Sequence, residues 1–193
     1  MAYRHQEYGL RVIGGDLKGK KLYSVPGKAV RPTADRLRES VFDILSFRVE
    51  GATVLDLFAG TGAFGIESLS RGARSAVFID INKKAVSVIE KNIKACALND
   101  RAKIIKWDII KNLFCLGSIR PAFDLVFMDP PYNMDALKPA LTNIHETKSI
   151  NDEAVIVVEH GHLEMMPNDI KGFELRDQRK YGKTLVSFLK YIV

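Results

Sequence analysis

The apolar run Phe123-Asp124-Leu125-Val126-Phe127-Met128 leads directly into Asp129, Pro130, Pro131 and Tyr132. A carboxylate, two rigid prolines and an aromatic ring at the exit of a strand suit a planar ring that bears an exocyclic amine. Such an amine is a poor nucleophile because its lone pair is delocalised into the ring. Asp129 and the Pro130 carbonyl can accept its two N–H bonds, draw the nitrogen toward tetrahedral geometry and free the lone pair, and Asp129 can take the released proton. Prolines keep the loop from rearranging, and Tyr132 offers a face on which an extruded base can stack. The bland alternative is a strand that ends in a proline turn. At average residue frequencies this tetrapeptide arises by chance in roughly one in a thousand chains of this length.

A second constellation is Val54-Leu55-Asp56-Leu57-Phe58-Ala59-Gly60-Thr61-Gly62-Ala63-Phe64-Gly65, with Asp80 twenty residues beyond Gly60. Taken alone, this GxGxxG spacing between a strand and a helix is also a dinucleotide fingerprint, and a nicotinamide-dependent oxidoreductase would use Asp80 on its ribose. Asp56 separates the readings. A pyrophosphate brings negative charge to a helix N-terminus and gains nothing from a nearby carboxylate. S-adenosylmethionine carries an ammonium and a sulfonium and no phosphate, so Asp56, Phe58, Gly60 and Gly62 suit its methionine part and Asp80 its ribose hydroxyls. The plain alternative for Asp56 is a helix-capping or turn-forming carboxylate. Asp108, after a third strand, could accept the adenine amine with Ile81 and Ile109 sandwiching the ring, or could be a helix N-cap.

These residues need strands to carry them. Thr53–Leu57, Ser75–Asp80, Lys103–Trp107, Phe123–Met128 and Ala154–Glu159 are near-continuous apolar runs, as expected for strands covered on both faces. Helical patterns fit Ala63–Arg71, Asn82–Leu98 and Asp135–Thr147. Strand and helix in alternation imply a parallel, doubly wound α/β sheet with ligands at the strands' carboxyl ends. Phe173–Arg179 and Thr184–Ile192 read as a terminal hairpin. Ahead of the alternation, Leu10–Ile13 and Lys20–Val25 flank a glycine-rich turn, and a helix from about Ala34 to Phe47, capped by Thr33, turns Leu37, Val41, Ile44 and Leu45 inward and Arg36, Arg38, Glu39 and Asp43 largely outward.

The 193 residues carry a net charge of +6. Residues 1–48 hold ten Lys/Arg against five Asp/Glu, and residues 49–193 hold nineteen against eighteen. A basic arm on a near-neutral body suits a polyanion, because Lys and Arg release condensed counterions from phosphates; a solvated basic face is the plain alternative. Cys96 and Cys115 stand in unrelated contexts, and His5, His145, His160 and His162 form no ligand spacing, so no metal site is expected. The N-terminus lacks the apolar stretch of a signal peptide and no run approaches the ~18 apolar residues of a membrane span, which points to a soluble cytoplasmic protein.

Together these residues resemble a class I S-adenosylmethionine-dependent methyltransferase. Arg11-Val12-Ile13-Gly14-Gly15, Lys18-Gly19-Lys20, Arg31-Pro32-Thr33-Ala34-Asp35-Arg36 with Arg38-Glu39, the Asp56–Gly62 segment, the Asp129–Tyr132 loop and Lys180-Tyr181-Gly182 are similar to the bacterial RsmD family, which methylates N2 of one guanine in 16S ribosomal RNA. Tyr132 stands where Phe is also at home, and stacking survives either choice. The resemblance implies a Rossmann-like, mostly parallel seven-stranded sheet with the last strand antiparallel. It implies a hairpin and helix extension over residues 1–48 that holds RNA, followed by a methyltransferase domain over residues 49–193. Asp129, Pro130 and Tyr132 would meet the base, and Arg11, Lys18, Lys20, Lys21, Arg31, Arg36 and Arg38 the phosphates. The expected partner of a monomer is ribosomal RNA, naked or in a partly assembled small subunit. DNA adenine N6 and protein glutamine stay open as targets, since relatives with the same loop act on other amines.

Overall fold

The computed structural model describes residues 8–26, 33–131, 136–164, 166–167 and 170–192. Tyr132 and Arg31 lie outside this set, as do the Thr33 side chain and the expected start of a helix at Asp135. A short antiparallel pair, β1 (Tyr8–Arg11) and β2 (Lys21–Tyr23), is followed by helix α1 (Thr33–Leu45). The alternating body comprises β3 (Thr53–Leu57), α2 (Ala63–Ser70), β4 (Ser75–Asp80), α3 (Lys83–Ala95), β5 (Ala102–Lys106), β6 (Phe123–Met128), α4 (Leu137–Thr147) and β7 (Ile150–Gly161). β8 (Phe173–Tyr181) and β9 (Thr184–Tyr191) form the closing hairpin.

The seven strands lie in the order β5-β4-β3-β6-β7-β9-β8. All neighbours from β5 to β7 are parallel, and β9 enters antiparallel between β7 and β8. This is the mostly parallel, doubly wound sheet expected, with the last strand reversed. The chain order switches direction between β3 and β6, so a crevice opens beyond Leu57 and Met128, where such sheets bind ligands.

Alternation along each strand sorts the core. Leu55, Leu57, Val126, Met128, Ile156 and Val158 pack under Leu137, Leu141 and Ile144 of α4 on one face. Val54, Phe78, Leu125, Phe127 and Val157 meet α1, α2 and α3 on the other. Val12 and Leu22 of the hairpin segment and Leu37, Val41, Phe42 and Leu45 of α1 belong to that second core. The arm is therefore welded to the body through shared apolar packing.

Several bounds and faces differ from the sequence-based expectation. β7 begins four residues earlier than Ala154, because Ile150 pairs with Phe123 before a register shift, while Asn151, Asp152 and Glu153 are exposed and give no apolar signal. α3 stops at Ala95, as Ala97 adopts φ 55°, and α1 stops at Leu45, as Ser46 adopts φ 43°. β5 is an edge strand with no fully buried residue. Ile44 is 37% exposed. Arg38 is 3% exposed, where an outward residue was expected.

Candidate active site

The loop after β3 reverses sharply to enter α2. Gly60 and Gly62 take φ of 57° and 76°, a left-handed backbone that glycine adopts without strain, and Phe58 is held there too at 56°. Gly65 serves packing instead: a Cβ on it would sit 2.2 Å from the Phe78 ring. The loop is pinned on two sides. Gly60 N donates to Asp80 Oδ2 at 2.9 Å, and Asn92 of α3 donates from Nδ2 to the Thr61 carbonyl at 2.9 Å. The same Asn92 bonds both backbone groups of Tyr23 in β2, accepting at 2.7 Å and donating at 3.1 Å. One buried amide thus ties the arm to the glycine loop.

Asp56 has the capping role. It is 3% exposed, and its Oδ2 accepts from Gly65 N at 2.9 Å, within the first turn of α2. The expectation that it faces the cationic end of a cofactor is corrected to this extent: the carboxyl is enclosed and committed to the helix N-terminus, which leaves four N–H groups without helical partners. Burial, opposed by the Gly65 bond and reinforced by the nearby Asp80 charge, pushes the Asp56 carboxyl up to about 8. A folded-state value above the unfolded value near 3.8 means the folded protein holds the proton more tightly, so stability falls as pH rises from about 4 to about 8 and levels off beyond. Asp56→Asn keeps an acceptor for Gly65 N and removes the titration. Its melting temperature is expected to exceed wild type at pH 8 and to vary less with pH over that window; identical pH profiles would show that Asp56 does not carry the dependence.

Asp80 closes β4 half-buried, with Oδ1 accepting from Asn82 N at 2.8 Å and Oδ2 from Gly60 N. Each carboxylate oxygen keeps a further lone pair, so the fixed group can accept two more donors, such as a pair of hydroxyls. Beyond it lies an open cleft of about 520 Å³ lined by Ile81, Lys106, Trp107, Asp108, Lys111, Asn112 and Phe114. Ile81 is 55% exposed and forms one wall. Ile109 does not form the other. At 2% exposure it packs into the core with Leu113 and Leu116, because the turn after β5 directs its side chain inward. Asp108 Oδ1 accepts from Ile110 N at 3.1 Å and Lys111 N at 3.3 Å, so it caps this turn while lining the cleft. The Trp107 indole donates to Asn112 O and Oδ1 at 3.0 and 3.1 Å. Trp107 and Phe114 are cleft residues that motif spacing does not single out, although two aromatics bracketing Asp108 are a usable signal.

At the end of β6, across the switch point, Asp129 is exposed and Pro130 buried. The buried ring anchors the loop while the carboxylate stands at the surface, one strand from the glycine loop. The arrangement brings Asp129 and Pro130 together with Phe58, Gly60, Gly62, Asp80, Ile81 and Asp108 along one edge of the sheet.

The arm's basic residues divide. Arg11, Lys18, Lys20, Lys21 and Arg36 are exposed, with Arg11 Nε 3.4 Å from Asp35. Arg38 cannot join them at a phosphate. Its Nη2 donates to the Arg11 carbonyl at 2.7 Å and to Asp35 at 3.0 Å, and burial lowers its pKa against the opposing pull of Asp35, Glu67 and Glu159. It braces β1 against α1 from inside. The turn between β1 and β2 is docked by α2: Ile13 N and Gly14 N donate to the Glu67 carboxylate at 2.7 and 2.8 Å, and Ser70 Oγ accepts from Leu17 N at 2.9 Å and donates to the Gly14 carbonyl at 2.6 Å. Gly15 sits so close to Ser70 that a Cβ would lie 1.9 Å from its carbonyl oxygen. On the far side Ser40 of α1 meets the Tyr181 hydroxyl at 2.5 Å.

The site fits S-adenosylmethionine on these observations: a left-handed glycine loop, the fixed Asp80 carboxylate with lone pairs to spare, and a part-apolar cleft bordered by Ile81, Trp107 and Asp108. Known proteins place the chain in the same company. The family model described as "Conserved hypothetical protein 95" matches residues 10–190. The putative rRNA methyltransferase YlbH of Bacillus subtilis is 35% identical over 181 residues, covering 94% of this chain and 98% of that one. The ribosomal RNA small subunit methyltransferase D of Escherichia coli is 33% identical over 174 residues, covering 90% and 86%. The solved structure of the putative methyltransferase yhhF from Escherichia coli aligns with a TM-score of 0.83 at 29% identity, covering 95% of this chain and 98% of that one. With a family match running from the arm to the last strand, the chain belongs to the Conserved hypothetical protein 95 family, that of the RsmD methyltransferases.

Proposed function

We propose that this protein methylates the N2 amine of a guanine in 16S ribosomal RNA, using S-adenosylmethionine, as a cytoplasmic monomer acting on naked or partly assembled small-subunit RNA. The observation that carries the reading is the meeting, at one switch point, of the Asp129–Pro131 loop with the glycine loop and Asp80. Relatives named for small-subunit RNA methylation, and the basic arm docked beside the site, support the choice of substrate.

When bound, S-adenosylmethionine supplies an electrophilic methyl group on a sulfonium. Gly60, Gly62 and Phe58 shape the backbone cradle for its methionine part, Asp80 accepts from its ribose hydroxyls, and Ile81 and Asp108 border its adenine. Asp129 and the Pro130 carbonyl hold the guanine amine through its N–H bonds, localising the nitrogen lone pair. The Asp129 carboxylate receives the amine proton and passes it to water. Tyr132 provides the stacking face. Alignment of the reacting groups supplies most of the acceleration.

Asp80→Ala removes the ribose acceptor and the Gly60 anchor together and is expected to weaken S-adenosylmethionine binding by about 10- to 100-fold, since hydrogen bonds to charged groups are worth roughly 1.5–3 kcal/mol. Calorimetric titration reads this, and unchanged affinity would remove Asp80 from the site. The arm has its own test. Joint replacement of Lys18, Lys20 and Lys21 by glutamine should weaken RNA binding, flatten its salt dependence by a slope of about 0.7 for each phosphate no longer neutralised, and leave cofactor affinity alone. The reading as a whole is tested by incubating the protein with labelled S-adenosylmethionine and unmethylated 16S RNA. Label in N2-methylguanosine is expected; label only in adenine, DNA or protein would replace the proposed target.

A further inference from the structure

The sheet register sets a second carboxylate beside the catalytic loop. β6 and β7 run parallel with Met128 opposite Val158. Asp129 and Glu159 are the next residues along, just past this last recorded pair and both at the carboxyl edge. Glu159 is half-buried and lines a narrow crevice with Val41 of α1, Phe64 of α2, and Phe127 and Met128 of β6. The Phe64 and Phe127 rings stack at 4.8 Å, so the crevice has a rigid aromatic floor and is too narrow to admit a base.

Two neighbouring carboxylates repel unless a cation offsets them. The enclosed Arg38 is a nearby cation: it pairs with Asp35 and also feels the charges of Glu67 and Glu159. Its Nε makes no hydrogen bond among the described residues. Glu159 thus stands in a positive field, close to the group that holds the reacting amine.

We propose that Glu159 reads the target base, accepting the N1–H of a guanine whose N2 amine rests on Asp129 and the Pro130 carbonyl. The inference builds on the guanine-N2 reading above and supplies its selectivity. Guanine presents N1–H and its N2 amine as adjacent donors on one edge, and adjacent acceptors at the ends of β6 and β7 match them. Adenine presents a lone pair at N1, which a carboxylate repels. A site built around a substrate N–H rejects the analogue lacking it far more strongly than shape alone can, because its own acceptor is left unpaired.

2-Aminopurine keeps the amine at C2 and lacks N1–H together with the 6-oxo group, so the Glu159 variants assign the share of the preference that belongs to N1–H. Unmethylated 16S RNA is assembled by splinted ligation with guanine or 2-aminopurine at the nucleotide the wild-type protein methylates. Wild type is expected to favour guanine by about 100-fold or more in kcat/KM. Glu159→Gln, whose amide can turn its NH2 toward the bare N1, should act more slowly on guanine and narrow the preference to within about 10-fold. Glu159→Asp retains a carboxylate and should keep the preference at a lower rate. S-adenosylmethionine affinity equal to wild type verifies that each variant is folded. Equal use of the two bases by wild type, or an undiminished preference in Glu159→Gln, overturns the assignment while leaving guanine-N2 methylation standing. Absence of methyl transfer to any guanine N2 by wild type removes both readings.

Discussion

Replacing Asp129 by asparagine is expected to cut methyl transfer by about 100- to 10,000-fold, the usual range for removing a positioned proton acceptor, while S-adenosylmethionine binds as before. The amide keeps one acceptor oxygen but offers an NH2 toward the donors of the target amine and cannot take up its proton. Asp129 is exposed at the end of β6, so the substitution creates no buried defect. Single-turnover transfer to 16S RNA, with cofactor affinity measured in parallel, separates the chemical step from binding. Transfer within a factor of about three of wild type would mean that alignment alone activates the amine and that the loop serves only as a wall.

Glu67→Ala should have the largest effect on the fold. Glu67 is fully buried on α2 and accepts from Ile13 N, Gly14 N and Arg71 Nε at 2.7, 2.8 and 2.7 Å. Alanine would leave two half-buried backbone donors and a partly exposed arginine without their acceptor. Each half-buried donor left unpaired costs about 1–3 kcal/mol. For a chain of this size that corresponds to a fall in melting temperature of roughly 10 °C. The segment around Gly14 should become cleavable by protease and RNA affinity should drop, because the exposed Lys18 and Lys20 lose their platform. Glu67→Gln keeps one acceptor and should fall between. A melting temperature within a degree or two of wild type, with the turn still protected, would show that shared apolar packing alone holds the arm.

The sequence revealed some of this and hid the rest for physical reasons. β3, β4 and β6 were legible to the residue because interior strands covered on both faces leave unbroken apolar runs. β7 was cut short because its first polar residues lie at an exposed, irregular pairing. The glycine loop and the Asp129 loop were visible because their residue types answer local backbone demands. Asn92, Glu67 and Ser70 were not: each sits within a helix with no local signal, and its role exists only once the arm folds onto it. Arg38 and Ile109 were misassigned for a related cause. Linear spacing gives the face of an element, whereas a carbonyl from β1 and the packing beyond β5 decide what that face meets.

The same bonds change the picture of the arm. It is tied by Asn92 to the carbonyl of Thr61 in the glycine loop, by Glu67 to α2, and by Ser40 and Tyr181 to the terminal hairpin. RNA held along Lys18, Lys20 and Lys21 would therefore be placed relative to Asp129 by rigid connections rather than by a tether.

Mapping modified nucleotides in ribosomal RNA from cells with and without this protein tests guanine-N2 methylation most directly. One N2-methylguanosine in 16S RNA is expected to disappear when the protein is absent and to return with the wild type but not with Asp129→Asn. An unchanged 16S pattern, or loss of a methyl group from adenine N6 instead, would contradict the proposed activity.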